Sequence, residues 1–293
     1  MRIGVSAWGQ NRGGTLAHLR QLPARWAAAS SMLALVRRAI PRPAKNVLLL
    51  VFSARYRRWH YALNQIWGET LGTIVSGPFR GMRYVKISYG SQLLPKLLGT
   101  YEKELHSTID GILNKPYDGV VNIGAGEGYY VAGLGAKLTR SWLYAFESHK
   151  PSSRLLLKVA ASNGIHRRLT LRGKCTVSLL QECLSRRVDD RVLVLCDVEG
   201  AEVTLLSPVE VPALTRADIL VEIHGCAAAG EMRRRFASTH SIEIISARPR
   251  NSSDWPRRIR LDQRYHAECL NEYRGEQQWF WMVALEERLA LLS

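Results

Sequence analysis

The chain has 293 residues, 46% of them hydrophobic, which suits one α/β domain of about 200 residues with an extension. Its five cysteines form no C-x-x-C pair and no metal-ligand spacing, so we expect a reducing, cytoplasmic protein without a structural zinc site. The net charge of +16 is uneven, because residues 1–68 hold 11 Lys and Arg and no acid, whereas the rest holds 30 basic and 25 acidic residues.

Residues 1–68 are predicted to form a basic N-terminal extension, partly disordered or helical. Residues 1–18 have no periodicity, Leu19 to Ile40 fit a basic amphipathic helix, and the apolar run Asn46 to Phe52 is bracketed by basic residues. No stretch reaches the ~18 apolar residues of a membrane span, and no signal-peptide pattern is present. Such an arm is typical of proteins that bind nucleic acid or anionic lipid, and equally of a solubilising extension. A mitochondrial-type presequence is a weaker interpretation.

Residues 69–117 are predicted to form a hairpin and a helix that lead into the core. A turn rich in glycine and proline at residues 77–81 indicates a small β-hairpin within 70–95. A helical pattern of apolar residues then runs from Pro95 to Asn114. Glu102 lies on this predicted helix, where it can return to a ligand held by the loop that follows.

The most informative motif is Asp118-Gly-Val-Val-Asn-Ile-Gly-Ala-Gly-Glu-Gly-Tyr-Tyr130. An apolar strand stops at Gly124, Gly126 and Gly128, and a helix-compatible stretch follows at once. Glycine at alternate positions permits positive φ and leaves bare backbone for a ligand. The following helix turns unpaired N–H groups toward the same place. The motif therefore predicts a ligand cradle between a strand and a helix.

The spacing of these glycines separates two classes of cofactor. The dinucleotide fingerprint G-x-G-x-x-G fails, because its third glycine would fall at Tyr129. An acid about 20 positions after the glycine loop is expected to hold ribose hydroxyls. The apolar run that starts at Trp142 ends in such an acid, Glu147. The G-x-G-x-G loop with this acid resembles motif I of the class I S-adenosylmethionine-dependent methyltransferases.

From residue 118 onward, apolar strands and helices alternate, which predicts a doubly wound, mostly parallel sheet for the domain of residues 118–293. Seven strands are expected, at residues 120–123, 142–146, 169–173, 191–196, 217–223, 242–247 and 278–284. Seven strands with the last one late resemble the class I methyltransferase pattern. The resemblance implies a Rossmann-like α/β fold whose last strand is antiparallel and lies between the fifth and the sixth.

Polar residues follow the predicted strands at their carboxyl ends, where open α/β sheets bind ligands. Cys175 and Thr176 follow the third strand, Asp197 and Glu199 the fourth, and His224 the fifth. Carboxylates directly after a hydrophobic strand need partners, which favours a functional role for Asp197. Glu199 is equally compatible with the start of a helix.

Three segments together resemble the FkbM-like family of methyltransferases over about residues 95–250: Val121 to Gly128, Ala145-Phe-Glu147 and Asp197-Val-Glu-Gly-Ala-Glu202. The resemblance implies S-adenosylmethionine as cofactor and methylation of oxygen, on a hydroxyl of a small molecule or glycan. One departure is Asn122, where the family commonly has Asp. Taken together, the motifs, the strand ends and the resemblance predict these cofactor-binding residues: Glu102, Asn122, Gly124, Ala125, Gly126, Gly128, Tyr129, Glu147, Cys175, Thr176 and Asp197.

Methyl transfer to a hydroxyl needs positioning and a base for the acceptor's proton. His224, with a reference pKa near 6.5, and Asp197 are the predicted catalytic residues. A hydrogen-bonded structural histidine is the alternative for His224. Metal assistance through Asp197, Glu199 and either Glu222 or His224 is chemically compatible with Mg²⁺ or Mn²⁺. No spacing demands a metal, so none is predicted.

Other functions remain open alongside this one. Methylation of DNA amines is not expected. Enzymes that methylate nucleobase amines carry a Pro-Pro-aromatic element after the fourth strand, whereas this chain has Asp197-Val-Glu-Gly200 and no aromatic to stack a flipped base. An RNA or protein methyltransferase that docks through the basic N-terminus is an alternative but is not favoured. A cofactor-binding scaffold without catalysis is another. The basic and aromatic stretch Arg248 to Arg274 is either a wall for an anionic or glycan acceptor or a solvated loop.

Overall fold

The computed structural model describes residues 54–185 and 190–285. The sheet belongs to a compact unit that begins at Trp59. The predictions for residues 1–52, namely disorder, a basic helix and a bracketed apolar run, lie outside the described residues. Of the helices that are described, none is long and apolar enough to cross a membrane.

Seven strands form one sheet with the order β3-β2-β1-β4-β5-β7-β6. Strand β7 pairs antiparallel with both β5 and β6, so the first six strands share one direction. The predicted Rossmann-like α/β fold is confirmed, including the place and direction of the last strand. The strands are β1 Gly119–Ile123, β2 Trp142–Phe146, β3 Leu169–Arg172, β4 Val192–Cys196, β5 Asp218–Ile223, β6 His240–Ser246 and β7 Gln278–Ala284.

The α-helices connect these strands and precede the first of them. Within the described ranges they are α1 Ala54–Thr70, α2 Leu93–Leu98, α3 His106–Leu113, α4 Tyr129–Lys137, α5 Lys150–Ser162, α6 Val177–Ser185, α7 Glu202–Leu205, α8 Cys226–Phe236 and α9 His266–Leu270. The helix predicted from Ser178 to Arg187 is α6, and its last two predicted residues lie outside the description.

The sheet separates two hydrophobic cores, because successive strand residues point to opposite faces. Val120 and Leu195 face the core that contains residues of α4 and α5, and Val121 and Ile123 face the core that contains residues of α6 and α8. Every position of β1 and of β4 is buried, as expected for parallel strands covered on both faces. Polar side chains therefore gather at the carboxyl edge of the sheet.

The segment before β1 differs from the prediction in two places. The predicted hairpin is reduced to one antiparallel bridge, between Thr73 and Arg83. The helix predicted from Pro95 to Asn114 is two helices, because Gly99 ends α2 with a left-handed φ of 72°. Glu102 consequently lies in the connection between α2 and α3 rather than on a helix.

Candidate active site

The loop after β1 is packed at both ends and open in the middle. A Cβ on Gly124 would lie 1.7 Å from the carbonyl oxygen of Asp197, so the loop and the end of β4 touch backbone to backbone. A Cβ on Gly128 would lie 2.9 Å from Leu156 Cγ. Gly126 has a φ of 53° and nothing within 4 Å of its Cβ position. A ligand can therefore approach the bare backbone at Gly126.

Glu147, directly after β2, lies against this loop. Its Oε2 accepts a hydrogen bond of 2.7 Å from the Gly126 N–H, and its Oε1 accepts one of 2.6 Å from the His149 N–H. Strands β1 and β2 are parallel neighbours, and Ile123 is paired with Phe146. This register brings the glycine loop and the acid of the next strand to the same place.

Three further residues predicted to bind a cofactor lie in this loop or next to it. Asn122 is buried at the end of β1, and its Oδ1 has no hydrogen-bond partner among the described residues. Ala125 is buried, and its N–H donates to the last carbonyl of β2 at 3.0 Å. The ring of Tyr129 packs edge-on against those of Phe79, Tyr84 and Tyr101. The side chain of Tyr129 is therefore part of the core.

Cys175 and Thr176 lie beyond the end of β3, the strand at one edge of the sheet. Burial raises the pKa of the Cys175 thiol to about 12, so this thiol is neutral. Thr176 is exposed, and its Oγ1 accepts a hydrogen bond of 3.2 Å from the Leu179 N–H in the first turn of α6. Their part in cofactor binding stays a prediction.

Glu102 is buried in a charged cluster. Arg274 Nη1 lies 2.5 Å from Glu102 Oε1 and 3.7 Å from Glu222 Oε2. The hydroxyl of Tyr130 donates to Glu102, and the Glu102 N–H donates to Glu272 Oε1 at 3.1 Å. Of the two tyrosines that follow the glycine loop, Tyr130 is the one whose hydroxyl reaches this cluster.

His224 follows β5 and is held by a buried carboxylate. Its Nδ1 donates to Glu202 Oε1, and Glu202 is fully buried. Its Nε2 lies 3.5 Å from Glu199 Oε2 and 3.6 Å from Glu222 Oε1. The hydrogen bond to Glu202 raises the pKa of His224 to about 9. The imidazole therefore keeps its proton at neutral pH.

Asp197 and Glu222 share this edge with other carboxylates. Desolvation, followed by the charge of Glu102, raises the pKa of Asp197 to about 6. Asp197 is accessible to solvent, but the surrounding protein displaces much of the water around it. Desolvation, followed by the charge of Asp197, raises the pKa of Glu222 to about 8. At pH 7 Asp197 is therefore mainly ionised and Glu222 mainly protonated.

Sequence reasoning missed the pair that holds the glycine loop from its other side. Glu127, between the second and third glycines, is 1% exposed, and its Oε2 lies 3.3 Å from Lys96 Nζ. The Tyr84 hydroxyl also donates to this carboxylate. Lys96 is 4% exposed, so both charges of the pair are buried. A charged residue inside a glycine loop is a visible signal, because a buried acid needs a partner.

Comparison with protein-family models finds no match, and comparison with curated proteins finds none either. Among solved structures, the chain is similar to the O-methyltransferase TomG from Streptomyces achromogenes, involved in tomaymycin synthesis and solved with S-adenosylmethionine. The TM-score is 0.41 at 13% identity, covering 64% of this chain and 81% of that one.

Two further structures show a comparable similarity. The O-methyltransferase from Bacillus cereus, solved with S-adenosylhomocysteine, has a TM-score of 0.42 at 11% identity, covering 64% of this chain and 82% of that one. Human methyltransferase 10 domain containing protein has a TM-score of 0.44 at 12% identity, covering 78% of this chain and 98% of that one. All three are methyltransferases by name. Similarity at this level assigns neither a reaction nor an acceptor to this chain.

Proposed function

We propose that the chain is an S-adenosylmethionine-dependent methyltransferase that acts on a hydroxyl group of a small molecule or glycan. The observation that carries the proposal is the meeting of three features at one edge of the sheet. These are the open backbone at Gly126, the Glu147 carboxylate bonded to it, and the contact of Gly124 with Asp197. A glycine loop with an acid after the neighbouring strand is typical of nucleoside recognition.

The residues at this edge fit S-adenosylmethionine. Glu147 would hold the ribose hydroxyls, since each carboxylate oxygen accepts more than one hydrogen bond. Bare backbone at Gly126 leaves room for the nucleoside. Asn122 Oδ1, buried and without a partner within the described ranges, would accept a hydrogen bond from the cofactor's amino group. When bound, the cofactor supplies a methyl group activated on a sulfonium centre.

Asp197 is the better of the two candidate bases at neutral pH. Its pKa of about 6 leaves the carboxylate ionised, whereas the pKa of about 9 leaves His224 protonated. A carboxylate oxygen of Asp197 and a ring nitrogen of His224 lie within 4.8 Å of each other, so the imidazolium stabilises the carboxylate. A positioned base contributes typically ~10²–10⁴-fold to such a step. Asp197 therefore takes the acceptor's proton in this proposal.

A cavity of about 1360 Å³ is the proposed place of the acceptor. It is lined mainly by residues 247–276, which connect β6 to β7. Arg274 lines the cavity and is also paired with Glu102, so the cavity adjoins the charged cluster. Arg248 and Trp255 line it as well. Guanidinium and aromatic groups suit a hydroxyl-rich or anionic acceptor such as a glycan.

Calorimetry of the full chain with S-adenosylmethionine tests the proposal. We expect Glu147→Ala to weaken binding by ~2 kcal/mol, about 30-fold, because a charged hydrogen-bond partner is lost. Glu243→Ala removes an exposed acid on β6 and should bind like the wild type. Gly126→Arg should abolish binding. No binding by the wild type would sink the proposal, and binding without methyl transfer to any of a broad panel of hydroxyl acceptors would favour the scaffold alternative.

A further inference from the structure

The imidazole of His224 faces several carboxylates on the side away from Glu202. We propose that Asp197, Glu199 and His224 form a binding site for a divalent transition-metal ion. Asp197 and Glu199 follow β4, and His224 follows β5. These strands are parallel neighbours, so their ends bring the three side chains to one edge of the sheet.

The three side chains are spaced as ligands of one ion. A carboxylate oxygen of Asp197, a carboxylate oxygen of Glu199 and a ring nitrogen of His224 all lie within 4.8 Å of one another. His224 Nε2 is 3.5 Å from Glu199 Oε2. Ligands bound at about 2.0–2.2 Å from a metal lie about 3–4 Å from one another. The Glu199 side chain is 88% exposed, so it can close the remaining distance without disturbing the core.

Glu202 orients His224 so that Nε2 faces the place of the ion, and binding of the ion releases the proton that Nε2 carries in the free protein. Nδ1 donates to the fully buried Glu202, which directs Nε2 toward Glu199. At protein metal sites, a ligating histidine almost always donates its other N–H to a carboxylate, a carbonyl or water. Glu202 is therefore a positioning residue in this site.

A separate buried carboxylate points at the same nitrogen. The Glu222 side chain is 4% exposed, and its Oε1 is 3.6 Å from His224 Nε2. Glu222 accepts no hydrogen bond from the described residues, and Arg274 approaches it only to 3.7 Å. Burying a carboxyl group without a hydrogen-bond partner is costly. An ion at His224 Nε2 would give Glu222 Oε1 a partner.

The donor set selects the class of ion. Two carboxylates and an imidazole suit Mn²⁺, Fe²⁺, Co²⁺ or Zn²⁺, whereas Mg²⁺ and Ca²⁺ prefer oxygen ligands alone. Three protein ligands leave coordination positions open. An acceptor hydroxyl in such a position would lose its proton more easily, and the second carboxylate oxygen of Asp197 would remain to accept that proton. That role rests on the proposed function, but the binding of the ion does not.

Titration of the chelator-treated full chain with MnCl₂, followed by the electron paramagnetic resonance of free Mn²⁺, tests the site. We expect one equivalent of Mn²⁺ to bind and tenfold more MgCl₂ to leave it bound. Glu199→Gln should weaken binding at least about tenfold, as loss of a metal-supporting group typically does. Glu210→Gln removes an exposed acid after α7 and should bind like the wild type.

Absence of saturable Mn²⁺ binding, or equal affinity in Glu199→Gln and the wild type, would overturn the site. His224→Gln provides a second test, and circular dichroism reports whether it folds. Folded His224→Gln protein that binds Mn²⁺ like the wild type would also overturn it. Calorimetry with S-adenosylmethionine separates the two proposals: Mn²⁺ binding without cofactor binding refutes the proposed function alone, and the reverse result refutes the metal site alone.

Discussion

Gly124 and Gly126 are two residues apart in one loop, yet the structure predicts different results for the same substitution. In Gly124→Ala the new Cβ would lie 1.7 Å from the carbonyl oxygen of Asp197, so the loop or the end of β4 must move. A left-handed φ costs a non-glycine residue about 1–2 kcal/mol. Forced overpacking costs typically about 1–3 kcal/mol more. We expect Gly124→Ala to lower the free energy of unfolding by about 2–5 kcal/mol.

Gly126→Ala should lose much less stability. Its Cβ meets nothing within 4 Å, so only the conformational cost of about 1–2 kcal/mol remains. The same methyl group would occupy the open face at which the cofactor is proposed to bind, so affinity for S-adenosylmethionine should fall in a folded protein. Gly111→Ala, within α3 and with open surroundings, is the matched control and should stabilise by about 0.5–1 kcal/mol.

Urea unfolding followed by circular dichroism measures these free energies, and calorimetry measures cofactor affinity. Equal losses of stability in Gly124→Ala and Gly126→Ala would refute the packing of the loop on Asp197. Unchanged affinity in Gly126→Ala would refute the placement of the cofactor on the open face of the loop.

Three further predictions follow from the buried charges. Lys96→Met leaves Glu127 buried without its cation and should lower the free energy of unfolding by about 3–5 kcal/mol in urea titrations; adding Glu127→Gln should recover part of this loss. Glu202→Gln should move the pKa of His224 from about 9 down toward 6.5, as read by NMR titration in the presence of chelator, and an unchanged pKa would contradict the assigned hydrogen bond. Burial raises the pKa of Glu222 in the folded protein to about 8, against an ordinary 4.5. The folded state therefore binds this proton more tightly than the unfolded state does, and the wild type loses stability as the pH rises from about 4.5 to 8. Glu222→Gln should remove that loss, and its stability relative to the wild type should grow from pH 4.5 to 8; a constant difference would argue against the raised pKa.

The sheet and the glycine loop could be predicted because local patterns encode them. Strands β1 and β4 are buried on both faces, so they read as apolar runs of the right length. The residue after an apolar strand, such as Glu147 after β2 or Asp197 after β4, then falls at the carboxyl edge by topology alone. The place of β7 followed from the resemblance rather than from any residue of the strand.

The charged cluster around Arg274 could not be predicted, because its members are far apart in the chain. Glu102 and Glu272, which share a hydrogen bond, are separated by 170 positions. Arg274 is one of many arginines in a basic stretch, and only the packing of residues before β7 against residues before β1 distinguishes it. The break at Gly99 had a visible signal, but a glycine within a helical pattern does not by itself mark a helix end.

The position of β7 between β5 and β6 also bears on synthesis of the protein. On the ribosome, β5 and β6 emerge before the strand that pairs with both of them. Until β7 inserts, β5 presents an unpaired edge and β6 has no neighbour in the sheet, and such edges invite pairing with other chains. Arg274 is four residues before β7, so the pair with Glu102 forms only when this late insertion is under way. Closure of the cavity wall around Arg274 and completion of the sheet are therefore coupled in folding, and a chain that has not yet placed β7 would be prone to aggregate.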